Sequence, residues 1–557
     1  MEIHTYTTLA VVSALAWFLY IQLYNWRFRP FSHIPQYYPN SLLFGGIKTI
    51  AGAFKRLGDL RRHPDYAFQA LWRESGYPQI NFYDLRPLNP AMVVVNSHEV
   101  AEQIAKASKI HPWSVTKSPT MADLQHLIGD KSMLSAEGET WKALRKRFNP
   151  GFAPQHLITL LPIIIQKSSV FMKRLDALAE SDAEADMEPL CTDLTFDIIG
   201  DVVCNLDLQA QDETSGGHEV VGYFRQLIKT FVDTGYIPMW MNVPNRIRRI
   251  YYSNKADASI KQCIKDKFAE MKAEQKTDTN QTKSRSVLAL ALRDIDVLTK
   301  GDLQTTADQV KTFFFAGHDT TSTMLQRLFY SLSIEPKRLQ ILRAEHDAVF
   351  GNEDPRDVFL ARPDETLKGL TYTSACIKET LRLWPPGSSA RLSVPGKGFK
   401  IRLDDGQEVC LDGTLLYIAH FLIQRDPKVF GETADEFVPE RWLGDTDTTA
   451  SKLNDVDAPT DEKKIPISAW RPFERGPKNC IGQELANLEA RVILACVMRR
   501  YDFVKVGPGE VLLDEKGKPA VDDNGRYKTN GELFNAIVIT SKPFDKCRMK
   551  IKMHEAE

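Results

Sequence analysis

Cys480 is the residue best placed to do chemistry in this 557-residue chain, because it stands at the mouth of a helix-like run from Gln483 to Ala495. A thiol there meets the positive end of the helix macrodipole and free backbone N–H groups, and both favour the thiolate. A thiolate is the form that ligates a metal such as iron. The residues around it suit that use, reading Phe473-Glu474-Arg475-Gly476-Pro477-Lys478-Asn479-Cys480-Ile481-Gly482. Gly476 permits a tight turn, Gly482 permits close backbone approach to a flat macrocycle, and Phe473 can shield the sulfur from water. The remaining cysteines, at 191, 204, 263, 376, 410, 496 and 547, form no CxxC pair or regular framework and read as reduced, buried thiols.

Three other clusters could serve such a centre. Ala316-Gly317-His318-Asp319-Thr320-Thr321-Ser322 sits in a helical run from about Thr305 to Ser333. Small residues at 316 and 317 make room on one face, and a threonine can bond back to a carbonyl one turn earlier, leaving a groove that can hold oxygen and water. A polar kink without catalytic use is the plainer account of the same residues, and His318 is not read as a metal ligand. Glu379-Thr380-Leu381-Arg382 places a carboxylate and a guanidinium one turn apart. The same spacing recurs at Glu335/Arg338 and Glu353/Arg356, but Pro336 and Pro355 start or break those helices. Trp141 and Arg145 share one face of the basic run Glu139 to Arg147, and the carboxylates of a buried cofactor need cationic partners of that kind.

The cysteine loop is similar to the heme-binding loop of cytochrome P450 enzymes, and the four clusters 141–145, 316–322, 379–382 and 473–482 occur in that family's order. The resemblance covers nearly all of the chain after residue 28. It implies that Cys480 is the axial thiolate of heme b, that Asp319 and Thr320 are the acid–alcohol pair delivering protons to reduced dioxygen, and that Trp141, Arg145, Arg391, Phe473, Lys478 and Gly482 contact the cofactor. Lys478 departs from the usual Arg or His and lacks the bidentate fork of arginine. The resemblance adds Arg441, in Pro439-Glu440-Arg441-Trp442, to Glu379 and Arg382 as a structural network behind the heme. Lys142, Lys146 and Arg147 would then face an acidic reductase. In finer texture the stretches 142–156 and 470–486 resemble fungal enzymes of polyketide and versicolorin-type secondary-metabolite pathways.

Those residues need elements to position them. From Thr5 to Trp26 the chain carries no charge, and 22 helical residues at about 1.5 Å each would span roughly 33 Å, against a hydrocarbon core of about 30 Å. Arg27 and Arg29 follow, so the positive-inside rule leaves the body in the cytosol, on an endoplasmic reticulum membrane crossed once. Pro30, Pro35 and Pro39 predict a stiff non-helical connector that sets the body at a distance from the bilayer. The expected organisation is an anchor over 1–28, a connector over 29–63 and one heme-thiolate domain over 64–557. That domain is mainly α with small β-sheets, the α+β arrangement of the P450 fold. A strand over Ala91 to Asn96, a break at 277–284, a hairpin at Asp405-Gly406, a solvated insertion at 444–464 and hairpins over 507–531 are expected within it.

A formal net charge of −1 from 71 basic and 72 acidic residues argues against nucleic acid as a partner. No nicotinamide or flavin fingerprint is evident, so electrons are expected from a separate NADPH-dependent cytochrome P450 reductase. The resemblance implies a monooxygenase that hydroxylates or otherwise oxidises an apolar small molecule, in fungal secondary metabolism. An electron-independent rearrangement or dehydration on the same fold is the alternative, and a heme-binding sensor or carrier is a second. Positions 113, 313, 314 and 388, occupied by Trp113, Phe313, Phe314 and Ser388, are the expected substrate lining by analogy of position.

Overall fold

The uncharged N-terminal run folds into α1 (Glu2–Phe28), whose apolar side chains, among them Leu9, Trp17 and Leu19, are exposed. No part of its apolar window is covered by protein. The computed structural model describes residues 2–212, 214, 216–232, 241–276, 285–443 and 465–555, so the expected break at 277–284 and the insertion at 444–464 lie outside the described residues.

Two compact units make up the chain, and they interleave in sequence: residues 1–118, 388–434 and 462–479 form one, and 119–387, 435–461 and 480–557 form the other. The first is built on a five-stranded sheet in the order Ile80–Tyr83, Met92–Val95, Leu415–Ile418, Ser389–Leu392, Thr116–Lys117. Met92–Val95 is the strand expected near Ala91, and its residues are all buried because both faces of the sheet are covered. The hairpin at Asp405-Gly406 joins Lys400–Arg402 to Glu408–Cys410, with Gly406 at φ +85°. Helices α2 (Ile47–Leu57) and α3 (His98–Ala105) belong to this unit. Ser97 caps α3 by accepting the Val100 N–H.

The proline-rich stretch is non-helical as expected, but it does not stand off from the body. Phe31 and Ile34 are buried in the same core as Ile80, Val93 and Leu416, because they are apolar residues that help to cover one face of that sheet. Residues 47–57 of the expected connector are helical as well.

The second unit is largely helical. It contains α4 (Gly138–Phe148), α5 (Met187–Cys204), α6 (Lys300–Ser333), α7 (Thr371–Leu383) and α8 (Gln483–Val497). Thr299 caps α6 by accepting the Asp302 N–H, and the helix runs for 34 residues, almost wholly buried after Lys300–Thr305. A hairpin of Asn535–Val538 and Thr540–Pro543 is tied to α6 by Arg327, which donates to Leu533 O at 2.7 Å and to Asn535 Oδ1. The segment 507–531 is joined by isolated bridges, Val511 to Thr529 and Val521 to Tyr527, and not by continuous strands.

Candidate functional site

Within the second unit, Cys480 opens the turn that leads into α8. Its side chain is exposed, unlike those of the other seven cysteines, yet it lies deep enough for burial to raise the thiol above its ordinary value. The Gly482 and Gln483 N–H groups and the Arg145 guanidinium pull in the opposite direction. The expected helix-entrance effect is therefore present, but burial outweighs it, and a cation at the sulfur would complete the compensation. A sulfur that is enclosed yet uncovered, with a Cβ at Gly482 meeting only that sulfur at 3.9 Å, fits ligation of a broad iron cofactor. Gly482 is not at positive φ, so its value there is small size.

Helix α4 turns Trp141 inward and leaves Lys142 and Lys146 exposed, with Arg145 between these extremes. Burial lowers Arg145, and Cys480 opposes this, which places the two within electrostatic reach. Arg147 departs from the expected docking face. It donates to Ala291 O at 3.0 Å and Thr306 Oγ1 at 3.1 Å, because its position on α4 points it at the neighbouring helix ends.

On α6 every residue from Thr306 to Leu332 is buried except Ala316, Gly317 and Thr320, which lie along one side. Thr320 Oγ1 donates to Ala316 O at 2.7 Å, the back-bond expected of it. Gly317 serves packing more than the groove, since a Cβ there would stand 2.7 Å from Ile199 Cγ1 of α5. His318 is a core residue, its ring 4.5 Å from that of Phe196 and its Nδ1 2.6 Å from Phe314 O. Phe313 and Phe314 are buried in aromatic clusters with Phe148, Phe152, Phe196 and Phe224.

Asp319 is not bonded to Thr320. Its Oδ1 pairs with Lys542 Nζ at 2.6 Å and its Oδ2 accepts from Thr540 Oγ1 at 2.6 Å, both from the Thr540–Pro543 strand. Lys542 also pairs with Glu188 at 3.0 Å, whose side chain is 24% exposed. Burial would strip the Lys542 proton, but Asp319 and Glu188 outweigh it and hold the ammonium above its ordinary value. None of Lys542, Thr540 and Glu188 was legible from sequence, because Lys542 and Thr540 are more than two hundred residues from Asp319 and Glu188 is more than three hundred from Lys542.

Glu379, Arg382 and Arg441 are brought together as expected. Arg382 grips Glu379 bidentately at 2.8 Å and 2.8 Å, Arg441 Nε reaches Glu379 Oε1 at 3.0 Å, and the Trp442 indole donates to Glu379 Oε2 at 2.9 Å. Arg382 and Glu379 have no exposed side-chain surface. Burial alone would raise the carboxyl, but Arg382 and Arg441 hold it below its ordinary value.

In the first unit, Lys478 and Arg391 are buried and Phe473 packs edge-on against Trp470 at 5.9 Å. Glu474, which the sequence did not single out, is the hub here: Arg471 Nη2 pairs with it at 2.5 Å and His420 Nε2 at 3.3 Å. Burial pushes its carboxyl up, yet Arg471, His420 and Arg391 hold it well below the usual range. Arg475 pairs with Glu102 of α3 at 2.9 Å. A cleft of about 730 Å³ in this unit, bordered by His98, Glu99, Arg402 and Asp426, carries none of the predicted residues.

Gly476 is at φ +76°, and a Cβ there would lie 2.3 Å from Ala105 O. Gly476→Ala is therefore expected to lower stability by about 1–3 kcal/mol through backbone strain, with further loss from the clash. The urea midpoint and the heme-to-protein ratio should fall together, and an unchanged midpoint would contradict the turn geometry.

The family model for cytochrome P450 matches residues 61–521. Among curated proteins, the cytochrome P450 monooxygenase acrF of Aspergillus aculeatus is 32% identical over 79% of this chain and 87% of its own length. The cytochrome P450 monooxygenase polC of Polytolypa hystricis is 29% identical over 84% of this chain and 81% of its own. Among solved structures, the heme domain of cytochrome P450DA superposes with a TM-score of 0.67 at 16% identity, covering 89% of this chain and 94% of that one, and so shares the fold. With that match laid over its cysteine loop, its buried glutamate–arginine knot and its threonine-bearing helix, the chain belongs to the cytochrome P450 family, which binds heme iron through a cysteine thiolate.

Proposed function

We propose that the protein is a membrane-anchored monooxygenase that takes two electrons from a separate NADPH-dependent cytochrome P450 reductase, puts one atom of dioxygen into an apolar small molecule and releases the other as water. The setting we infer is fungal secondary metabolism, and the relatives acrF and polC, both named cytochrome P450 monooxygenases of fungi, support the monooxygenase part of that reading. The endoplasmic reticulum, with the body in the cytosol, is the location we infer from α1 and the arginines that follow it. Heme b held by the Cys480 thiolate supplies oxygen activation when bound, with Trp141, Arg145, Arg391, Phe473, Lys478 and Gly482 around it.

One observation carries this reading over an electron-independent rearrangement: the open side of α6 at Ala316 and Thr320, backed by the ion chain Asp319–Lys542–Glu188. Thr320 donates to Ala316 O, which leaves its oxygen free to accept from a water in the groove. Glu188 reaches toward solvent, Lys542 stays charged, and Asp319 stands next to Thr320 in sequence. A proton taken up from solvent at Glu188 can thus pass to Asp319 once Asp319 lets go of Lys542, and Asp319 then gives it to the groove while Lys542 keeps its own. A rearrangement has no use for such a supply.

The test is a reconstituted reaction with reductase in which product, NADPH and hydrogen peroxide are followed together, using the metabolite that accumulates when the gene is deleted. Thr320→Ala should keep heme and NADPH consumption while product per NADPH falls and peroxide rises. Asp319→Asn should slow turnover instead. If both variants convert substrate at the native rate without NADPH, the rearrangement takes the place of this reading.

A further inference from the structure

The last turn of α1 is fastened to the first unit by an arginine that has no exposed side-chain surface. Arg27 Nη1 pairs with Asp84 Oδ2 at 2.9 Å, and its other nitrogens donate to Leu42 O, Leu43 O and Arg86 O at 3.1, 2.7 and 2.9 Å. Arg86 reciprocates by donating to Arg27 O at 2.9 Å, pairs with the same Asp84 at 2.6 Å, and lays its guanidinium 4.5 Å from the Trp26 ring. The fit excludes a side chain at Gly45, where a Cβ would lie 2.1 Å from Asp84 O and 2.7 Å from Arg27 Nη1. Burial would raise Asp84, but Arg86 and Arg27 outweigh it and hold it ionised.

The backbone that Arg27 grips also carries three exposed apolar side chains. Leu43 is 58% exposed, Phe44 57% and Leu88, two residues after the carbonyl of Arg86, 72%. Exposed Arg29 and Lys48 stand close by in sequence, able to meet lipid phosphates. A cluster of large apolar residues at the foot of an apolar helix continues that helix's lipid-facing surface.

We propose that α1 is a rigid lever and not a tether: the Arg27–Asp84–Arg86 clamp fixes the membrane-crossing helix to the body, and Leu43, Phe44 and Leu88 beside it enter the phospholipid interface. This rests on α1 crossing a membrane. A body on a free tether would present many faces to the bilayer, whereas a clamped one presents this face at a set angle.

The experiment uses the full chain in phosphatidylcholine nanodiscs whose acyl chains are brominated near the headgroup. An environment-sensitive fluorescent amino acid replaces Phe18, Leu43 or Leu88, and discs without bromine are the control. Bromine should quench the probe at 18, 43 and 88. The double variant Arg27→Met/Asp84→Met, checked for native heme content, should keep quenching at 18 and lose it at 43 and 88. Arg86→Gln, which leaves the central ion pair in place, should lose part of it. A probe at 18 that is not quenched refutes the membrane reading and the lever with it. Quenching at 18 without quenching at 43 and 88 in the unmodified clamp overturns the lever alone, as does a well-folded double variant with quenching unchanged.

Discussion

Cys480→Ser is expected to abolish both oxygenase activity and the reduced carbon-monoxide band at the wavelength for which the family is named. The sulfur is enclosed, and its thiol is already raised by burial, so only a soft, ionisable atom compensated by iron can serve as ligand there. A serine hydroxyl loses its proton far less readily, and the Gly482 and Gln483 N–H groups are too weak to change that. Replacement of the other seven cysteines by serine should leave the band in place, since five are buried core residues and Cys263 and Cys410 are partly covered. A band at the shorter wavelength of histidine-ligated heme in the unaltered protein would overturn the assignment.

Glu379→Gln is expected to cost about 3–5 kcal/mol, because it leaves Arg382 and Arg441 facing a neutral amide in a site closed to water. Against a typical total of about 5–15 kcal/mol, that should leave much of the protein unfolded or without heme at growth temperature. Urea denaturation should show a lower midpoint with an unchanged slope. Activity per bound heme should persist, since the role is structural.

The acid dependence of this loss follows from the direction of the Glu379 shift. Its folded value lies below the ordinary 4.5, so the carboxylate stabilises the fold fully above that value and loses its contribution as pH falls through the depressed folded one. The difference between native and Glu379→Gln proteins should therefore be constant near neutrality and shrink below about pH 4. A difference that widens in acid would mean Glu379 is not held as an anion.

Local motifs were readable because their partners are close in sequence. The Glu379–Arg382 pair needs one turn of helix, Gly476 needs one tight turn, and Thr320 bonds a carbonyl four residues back. Trp141 was turned inward and Lys142 outward by the same periodicity that the sequence displayed. The run that follows failed at Arg147, where charge suggested a solvent-facing surface and the approach of Ala291 and Thr306 made a half-buried tie. Phe313 and Phe314 pack against aromatic side chains of other elements, a partnership that their position along α6 does not reveal.

Residue order and spacing thus determined the family, the cysteine proposed to hold the iron, the glutamate–arginine pair and the apolar span at the N-terminus, all of them set by chemistry within one or two turns or by composition along a single helix. Tertiary structure decided that Asp319 answers to Lys542 and Thr540, that Glu474 is held by Arg471 and His420, and that Arg27 is a buried clamp to Asp84 instead of a free charge beside a connector. An ion pair depends on distance in space, and a charged side chain carries the same formula whether its partner is one turn or two hundred residues away.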